Sequence, residues 1–219
     1  MTDFFDINGF AGSPALAEKL GWAKIIAPYK VSSKDLQAEA RRVRANAEVI
    51  IVSGGSDVNR AASDCWELDL IGSPELHEEK DFMHQMNSGI DFVIAKACAE
   101  KGIAIEFNFA DVLNSSGRKR SQLLARMMQN IMISKDCGCG MVLTSGSKDE
   151  FGLRSPRDLI AFGMVIGMSL EEATAAVSRT PSSIIRRSHD RKDPNIIMKG
   201  LEVKKWGSEK KGKKAYGWY

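Results

Sequence analysis

The chain has 219 residues, 43% of them hydrophobic, which is enough for one α/β domain with a substantial core. No apolar run approaches the roughly 20 residues of a membrane-spanning helix, the start Met1-Thr2-Asp3 lacks the features of a signal peptide, and the four cysteines form no disulfide framework. We therefore expect a cytoplasmic protein without membrane contact, and its formal net charge of +3 makes it neither strongly acidic nor strongly basic overall.

Short β-branched or apolar runs alternate with helical patterns over most of the chain. Strands are predicted at residues 4–8, 23–27, 49–53, 68–72, 103–107 and 141–145. Helices are predicted at residues 13–20, 34–47, 59–65, 88–101 and 118–136. Short strands that alternate with helices indicate parallel βαβ units, so the pattern favours either a (β/α) barrel or an open doubly wound sheet.

Beyond residue 145 the pattern contains helix starts without clear strands between them. Ser or Thr N-caps, Pro in the first helical position and acidic residues in the first turn mark these starts. They are Ser155-Pro156-Arg157-Asp158, Ser169-Leu170-Glu171-Glu172 and Thr180-Pro181. Residues 196–203 offer a seventh strand beyond the six clear ones.

We assign residues 1–203 to a single α/β barrel-like domain and residues 204–219 to a Lys-rich tail that we expect to be disordered. Because aromatic residues are interleaved with the lysines of residues 199–219, this end either contacts nucleic acid or serves as a solubilising tail. Earlier in the chain, the spacing of Cys137-Gly138-Cys139 matches no zinc or thiol redox motif, and we expect a turn that ends a helix there.

Positive charge is concentrated in the second half of the chain. Residues 1–112 contain 11 Lys and Arg against 18 Asp and Glu, whereas residues 113–219 contain 20 against 10, which gives nets of −7 and +10. The cations cluster where loops enter helices or helices end, a distribution that favours a polyanionic partner. The candidates for such contacts are Lys96, Arg118, Lys119, Arg120, Arg126, Arg154, Arg157, Arg179, Arg186 and Arg187.

Arg120 and Arg126 are included because the helical pattern of residues 118–134 places them off the apolar stripe, where we expect them to be available to a partner. Arginine suits phosphate because its planar guanidinium can donate to two oxygens and stack on bases. We expect a variant that loses Arg118 and Arg120 to bind a polyanion less well and to keep its stability.

Two further patterns are candidate sites. Asp6, Asp69 and Glu106 lie in or at the ends of predicted strands, where barrel enzymes place their chemistry, and carboxylates there either hold Mg²⁺ or cap turns and helices. Residues 53–56, Ser-Gly-Gly-Ser, follow a strand and precede a helix, as a phosphate loop does, but they lack the glycine spacing of nucleotide fingerprints.

Several motifs occur together and in order between residues 4 and 187. They are Ser88-Gly89-Ile90-Asp91, Ala95-Lys96, Ile103-Ala104-Ile105-Glu106-Phe107, residues 118–131, residues 153–159, Gly167-Met168-Ser169 and Ser178-Arg179-Thr180-Pro181. In this combination the chain resembles the archaeal and eukaryotic thirty-kilodalton protein subunit family of ribonuclease P. Only the Lys-rich tail falls outside the resemblance.

The resemblance implies an irregular TIM-barrel-like (β/α) fold related to the polymerase and histidinol phosphatase superfamily. It also implies a subunit of a ribonucleoprotein that removes 5′ leaders from precursor tRNA, in which a large RNA carries the Mg²⁺-dependent active site and this chain holds no cofactor. The implied partners are the ribonuclease P RNA, precursor tRNA and a small α/β protein subunit, with two such protein pairs in a heterotetramer. The candidate cations would then contact RNA.

Hydrolases with a related fold carry a His-x-His pair at the end of the first strand, where this chain has Asp6-Ile7-Asn8. The resemblance therefore implies that the isolated chain is not catalytic. Two alternatives stay open. One is a metal-dependent phosphoesterase that uses Asp6, Asp69 and Glu106, and the other is an adaptor that binds only proteins through the apolar helices of residues 155–187.

Overall fold

The computed structural model describes residues 2–32, 34–77, 79–81, 86–198 and 200–207. Most of the predicted Lys-rich tail, residues 204–219, lies outside these ranges, so the domain boundary at residue 203 stays a prediction. None of the described helices is both long and apolar enough to cross a membrane.

Strands and helices alternate through the first two thirds of the described chain. The strands are β1 (Phe5–Asp6), β2 (Lys24–Ile25), β3 (Tyr29–Val31), β4 (Ile50–Ser53), β5 (Leu70–Gly72), β6 (Ala104–Asn108), β7 (Gly140–Thr144), β8 (Ile196–Met198) and β9 (Leu201–Glu202). The helices are α1 (Pro14–Leu20), α2 (Leu36–Val43), α3 (Ser56–Ser63), α4 (Phe92–Lys101), α5 (Phe109–Leu113), α6 (Gly117–Cys137), α7 (Pro156–Val165), α8 (Leu170–Ala176) and α9 (Arg179–Lys192).

The parallel strands form a TIM-barrel-like arrangement, as predicted. Strands β3 to β7 make one five-stranded parallel sheet in chain order, and β1 pairs with β2 in parallel. The amide of Gly146, after β7, donates to the carbonyl of Asn8, after β1, at 3.0 Å, which brings the two ends of the strand series together. No continuous ladder of strands closes the barrel in the described residues.

The six clear strand predictions are confirmed, whereas the possible seventh lies outside the parallel sheet. Strand β3 was not predicted, because it is three residues long and Pro28 separates it from β2. Residues 196–203 were predicted as a seventh strand of the domain. They form the antiparallel hairpin β8–β9 instead, apart from the parallel sheet.

Two predicted helix starts are confirmed by their capping contacts, whereas α9 begins at Arg179, one residue before the predicted Thr180-Pro181, and has no side-chain cap. Ser155 with Asp158 and Ser169 with Glu172 each form a complete capping box at the start of α7 and α8. Gly138 ends α6 with φ +67°, a left-handed conformation that glycine adopts at low cost, so the Cys137-Gly138-Cys139 segment is the predicted turn. All four cysteines are free thiols.

Alternate strand residues face two separate cores. On β4, Ile51 belongs to an interior cluster, whereas Ile50 and Val52 belong to the larger cluster between the sheet and the helices. The interior cluster also contains Ile184 of α9, which is 3% exposed. Helix α9 therefore packs against the inside of the barrel rather than against its outer wall.

Helix α9 crosses the end of the barrel where the strands begin. The guanidinium of Arg187 donates to the carbonyl of Lys101, just before β6, at 2.9 Å. Further along the helix, Arg191 donates to the carbonyl of Trp66, ahead of β5, at 2.6 Å. We call this end of the parallel strands the amino end and the opposite end the mouth.

Asp69 is the anchor of the amino end. Its side chain is fully buried and lies within 2.6 Å of Arg44, 3.3 Å of Arg187 and 3.5 Å of Arg191. It also accepts the backbone N–H of Ile50 at 2.9 Å. One carboxylate thus joins α2, β4 and α9, and it is the only negative charge at which these three cations converge among the described residues.

We expect Asp69→Asn to lower the free energy of unfolding by about 3–5 kcal/mol, because three mostly buried cations lose their shared counter-charge. Urea unfolding measures the change. The matched control is Asp64→Asn, whose exposed carboxylate pairs with Lys101 at 3.2 Å and should matter by at most about 1 kcal/mol. If the two variants lowered the free energy of unfolding equally, Asp69 would not be the anchor of α9.

Candidate nucleic-acid interface and the mouth of the barrel

The mouth of the barrel holds a polar cavity of about 650 Å³. Side chains that follow β1, β5, β6 and β7 line it, including Asn8, Ser73, Asn108 and Ser147. Two lysines that the sequence patterns did not single out, Lys30 and Lys148, also line it. The only feature of the sequence that could have identified them is that Lys30 lies in a strand and Lys148 follows one.

Glu106 lies at the base of this cavity and is 1% exposed. Its Oε1 accepts hydrogen bonds from Asn8 Nδ2 and Thr144 Oγ1, both at 2.6 Å. Burial raises the pKa of the Glu106 carboxyl to about 7, although both hydrogen bonds favour the charged form and lower it. The carboxyl is therefore near its titration midpoint at neutral pH.

Asp6 is held in the same way, and Asn8 donates hydrogen bonds to both carboxyls. It is fully buried, and its carboxyl accepts hydrogen bonds from the backbone and hydroxyl of Ser145 and from the backbone of Asn8. Burial raises the pKa of Asp6 to about 6, against the lowering effect of these hydrogen bonds. The carboxyls of Asp6 and Glu106 are thus both hydrogen-bonded to residues beside them in the fold.

The structure does not support the alternative in which Asp6, Asp69 and Glu106 together hold Mg²⁺. Asp69 precedes β5 at the amino end, among three arginines, whereas Asp6 is the last residue of β1 and Glu106 lines the mouth cavity. Within the described ranges no group of three or more His, Cys, Asp or Glu is placed to hold a metal ion. The three carboxyls are therefore not gathered at one site.

The glycine-rich loop after β4 is not a free phosphate cradle either. The amide of Gly54 donates to the carbonyl of Gly72 at 2.6 Å, and the amide of Gly55 donates to the side chain of Asn59 at 3.0 Å. Because both donors are used inside the protein, this loop has a structural role in joining β4 to α3.

Seven of the ten predicted cations are exposed, and they lie on separate parts of the surface. Some begin α6 and α7, two helices that start at the mouth, whereas others lie on α9 at the amino end or on α4. The structure therefore does not gather the predicted set into one face. The exposed cations are Arg118, Lys119 and Arg120 on α6, Arg157 on α7, Arg179 and Arg186 on α9, and Lys96 on α4.

Arg126 is the clearest correction to the predicted set. It is 3% exposed, and its guanidinium donates to the carbonyls of Glu75, His77 and Glu79 and pairs with Asp81 at 2.9 Å. The prediction that Arg126 is available to a partner is wrong. It holds the segment after β5 against α6, and the pattern of one helix cannot reveal a partner 45 residues away.

Three more of the predicted cations have structural contacts. Arg120, although exposed, donates to the carbonyls of Val112, Leu113 and Ser115 around the end of α5, so it too is less available than predicted. The guanidinium of Arg154 donates to the carbonyls of Phe151 and Leu153. Arg187 is part of the Asp69 cluster. A loss of RNA binding on their mutation would not distinguish contact from folding.

The acidity of the first half is also less exposed than its composition indicates. Five of its carboxylic acids are buried, namely Asp6, Glu67, Asp69, Glu75 and Glu106. Glu75 is 1% exposed and receives a hydrogen bond from Asn130 Nδ2 at 3.3 Å. Burial, reinforced by the nearby Asp111 and Glu106, raises the pKa of Glu75 to about 8.

The raised pKa of Glu75 predicts how the stability of the protein depends on pH. The Glu75 carboxyl has an ordinary pKa of 4.5 and about 8 in the folded chain, so above pH 4.5 the unfolded chain releases the proton first. The protonated Glu75 carboxyl therefore contributes its full share to the free energy of unfolding below pH 4.5, and this contribution is lost as the pH rises towards 8. Glu106 and Asp6 act in the same direction over narrower ranges.

We expect Glu75→Gln to be more stable than wild type at alkaline pH by roughly 2–4 kcal/mol and to have a flatter stability profile. Chemical unfolding at several pH values measures this. Glu100→Gln, at an exposed site on α4, is the control and should keep the wild-type profile. If the free energy of unfolding changed with pH in the same way for Glu75→Gln and wild type, the raised pKa assigned to Glu75 would be wrong.

Comparison with known proteins places these features in a family. The sequence model described as RNase P subunit p30 matches residues 17–193. Ribonuclease P protein component 3 of Methanosarcina acetivorans is 35% identical over 163 residues, which are 74% of this chain and 64% of that protein. The protein of the same name from Methanococcus maripaludis is 27% identical over 184 residues, 82% of this chain and 75% of its own length.

Comparison of the fold with solved structures agrees with the sequence comparison. A chain of the cryo-EM structure of archaeal ribonuclease P with mature tRNA matches with a TM-score of 0.69 and 25% identity, over 94% of this chain and 89% of that chain. This chain spans 64% of the length of the Methanosarcina relatives that it matches. With the family match over residues 17–193 and 35% identity to a relative over 74% of the chain, this protein belongs to the RNase P subunit p30 family.

Proposed function

We propose that this chain is a protein subunit of ribonuclease P that binds and stabilises the catalytic RNA for removal of 5′ leaders from precursor tRNA. The observation that carries the proposal is the match, over 94% of the chain, to a chain of archaeal ribonuclease P with mature tRNA. The family match over residues 17–193 supports it independently.

The physical role follows from the exposed cations. Phosphate repulsion opposes compact folding of a large RNA, and a rigid protein that presents Lys and Arg neutralises phosphates and releases their counterions. Arg118, Lys119 and Arg157 lie at the mouth and Arg179 and Arg186 at the amino end. Arg179 has an ion pair with Glu171 at 3.4 Å, but both side chains are largely exposed, so this pair competes weakly with phosphate.

In this proposal the chain contributes no catalytic group. The mouth carboxyls, Asp6 and Glu106, are buried and hydrogen-bonded within the protein, a donor set that suits structure better than metal binding. The Mg²⁺ that the reaction requires would belong to the RNA. The phosphoesterase alternative loses its support with the separation of Asp69 from the mouth.

We also propose the partners that the family resemblance implies, a small α/β protein subunit in a heterotetramer of two such pairs, together with a cytoplasmic location. The four free thiols suit a reducing compartment. Native mass spectrometry of the complex purified from cells would test the stoichiometry, and a mass with only one copy of this chain would contradict the heterotetramer.

The primary test is purification of the tagged full chain from its own cells, followed by sequencing of the RNA that accompanies it. Enrichment of one structured RNA and cleavage of precursor tRNA by the eluate would support the proposal. Partners that survive nuclease treatment, with no bound RNA, would favour the protein-only adaptor instead.

A second test uses Arg118→Ala with Lys119→Ala, since Arg120 has structural contacts and Arg118 and Lys119 are exposed. We expect weaker binding to the co-purified RNA and a smaller slope of its salt dependence, by about 1 for each phosphate that is no longer neutralised. The melting temperature should not change.

The matched control for this test is Arg41→Ala with Arg42→Ala, which removes two exposed neighbouring charges from α2. It should change the affinity and the salt slope less than the α6 variant. If both double variants lose the same affinity, the cations act through net charge and α6 is not a contact site.

A further inference from the structure

Phe151 is the most exposed of the large apolar side chains in the described ranges, at 90%. It lies in the loop between β7 and α7, at the rim of the mouth cavity that its neighbours Asp149 and Gly152 line. A single exposed apolar residue is common on protein surfaces. The structure around this residue, however, holds its backbone in a fixed position.

The start of the loop is fastened to the barrel. The hydroxyl of Ser147 accepts the backbone N–H of Phe10 at 2.9 Å, and Gly146 donates to the carbonyl of Asn8 at 3.0 Å. Within the loop, the carboxylate of Asp149 accepts the backbone N–H of Gly152 at 2.9 Å. These bonds fix the turn that carries Phe151.

The end of the loop is fastened as well. Arg154 donates to the carbonyl of Phe151 at 2.9 Å and to that of Leu153 at 2.7 Å, and Leu153 is itself buried. The indole of Trp22 donates to the carbonyl of Arg154 at 2.8 Å. The loop therefore presents the ring to solvent from a rigid base, so little ordering entropy would be lost when a ligand packs on it.

Residues 148–158, around the ring, contain three basic residues and three carboxylates. Lys148 and Arg157 are exposed on either side of it in sequence. Two of the three nearby carboxylates have internal roles, Asp149 in the turn and Asp158 in the capping box of α7. Glu150 is the one carboxylate between Lys148 and Asp158 with no hydrogen bond of its side chain to another described residue.

We infer that Phe151 is a stacking platform for an unpaired RNA base, with Lys148 and Arg157 placed for the adjacent phosphates. This inference rests on the proposed function, because it names the class of RNA element that the mouth would take. An aromatic ring beside cations is the usual means of holding single-stranded nucleic acid. Protein docking sites bury contiguous apolar patches, whereas the residues next to this ring in the loop are Glu150 and Gly152.

The test compares two fluorescent probes on the full chain, a single-stranded oligoadenylate of about 20 nucleotides and an RNA duplex of similar length. We expect Phe151→Ala to weaken binding of the single strand by about 5- to 100-fold with an unchanged salt slope, because the variant removes base stacking and leaves the phosphate contacts in place. Binding of the duplex should not change, since its bases are already stacked.

Matched variants separate stacking from other causes. Phe151→Trp should keep the affinity for the single strand, whereas Phe151→Leu should lose it like the Ala variant. Arg157→Ala should weaken both probes and reduce the salt slope by about 1. All the Phe151 variants should melt at the wild-type temperature, because the side chain is exposed.

Wild-type affinity for the single strand in Phe151→Ala would overturn the inference, and so would full affinity in Phe151→Leu or an equal weakening of duplex binding. Release of a co-purified protein from Phe151→Ala, with RNA binding intact, would overturn it in favour of a protein contact. If wild type binds neither probe nor its co-purified RNA, the proposed function fails. If wild type binds the co-purified RNA and Phe151→Ala does not change the affinity for the single-stranded probe, only the inference about Phe151 fails.

Discussion

The cluster around Asp69 determines how the two ends of this molecule differ. One buried carboxylate holds Arg44 at the end of α2 and both Arg187 and Arg191 of α9, so α9 lies across the amino ends of the strands and Ile184 fills the interior. An open amino end would expose the interior cluster to water. With this end covered, the cavity that the loops leave is at the mouth, where barrel proteins place their functional residues.

At the mouth, the remaining polar groups are arranged for structure. Glu106 joins β6 to Asn8 and Thr144, and Asp6 joins β1 to Ser145, so two carboxyls bridge the strands that meet there. Burial is the largest cause of their raised pKa values, about 7 for Glu106 and about 6 for Asp6.

The basic residues divide into those that hold the fold and those that remain exposed. Arg126 and Arg187 each bond to carbonyls and a carboxylate from distant segments, as a guanidinium with five donors can do. Arg118, Lys119 and Arg157 have exposed side chains at helix starts, where the helix dipole adds to their positive potential. The excess of positive charge in the second half is therefore only partly a surface property, and the exposed cations that were predicted in that half lie at both ends of the barrel.

Local patterns in the sequence determined the elements of the fold. Ser155 with Asp158, Ser169 with Glu172, and Gly138 predicted helix ends that the structure contains, because caps depend on neighbours within about four residues. The order of motifs was sufficient to indicate the family. The tertiary structure alone decided that Asp69 lies at the opposite end from Glu106, and that Arg126 is buried while Arg118 is exposed. These outcomes depend on contacts such as Arg126 with Asp81 and Arg187 with Asp69, 45 and 118 residues apart, for which periodicity along one helix or strand carries no signal.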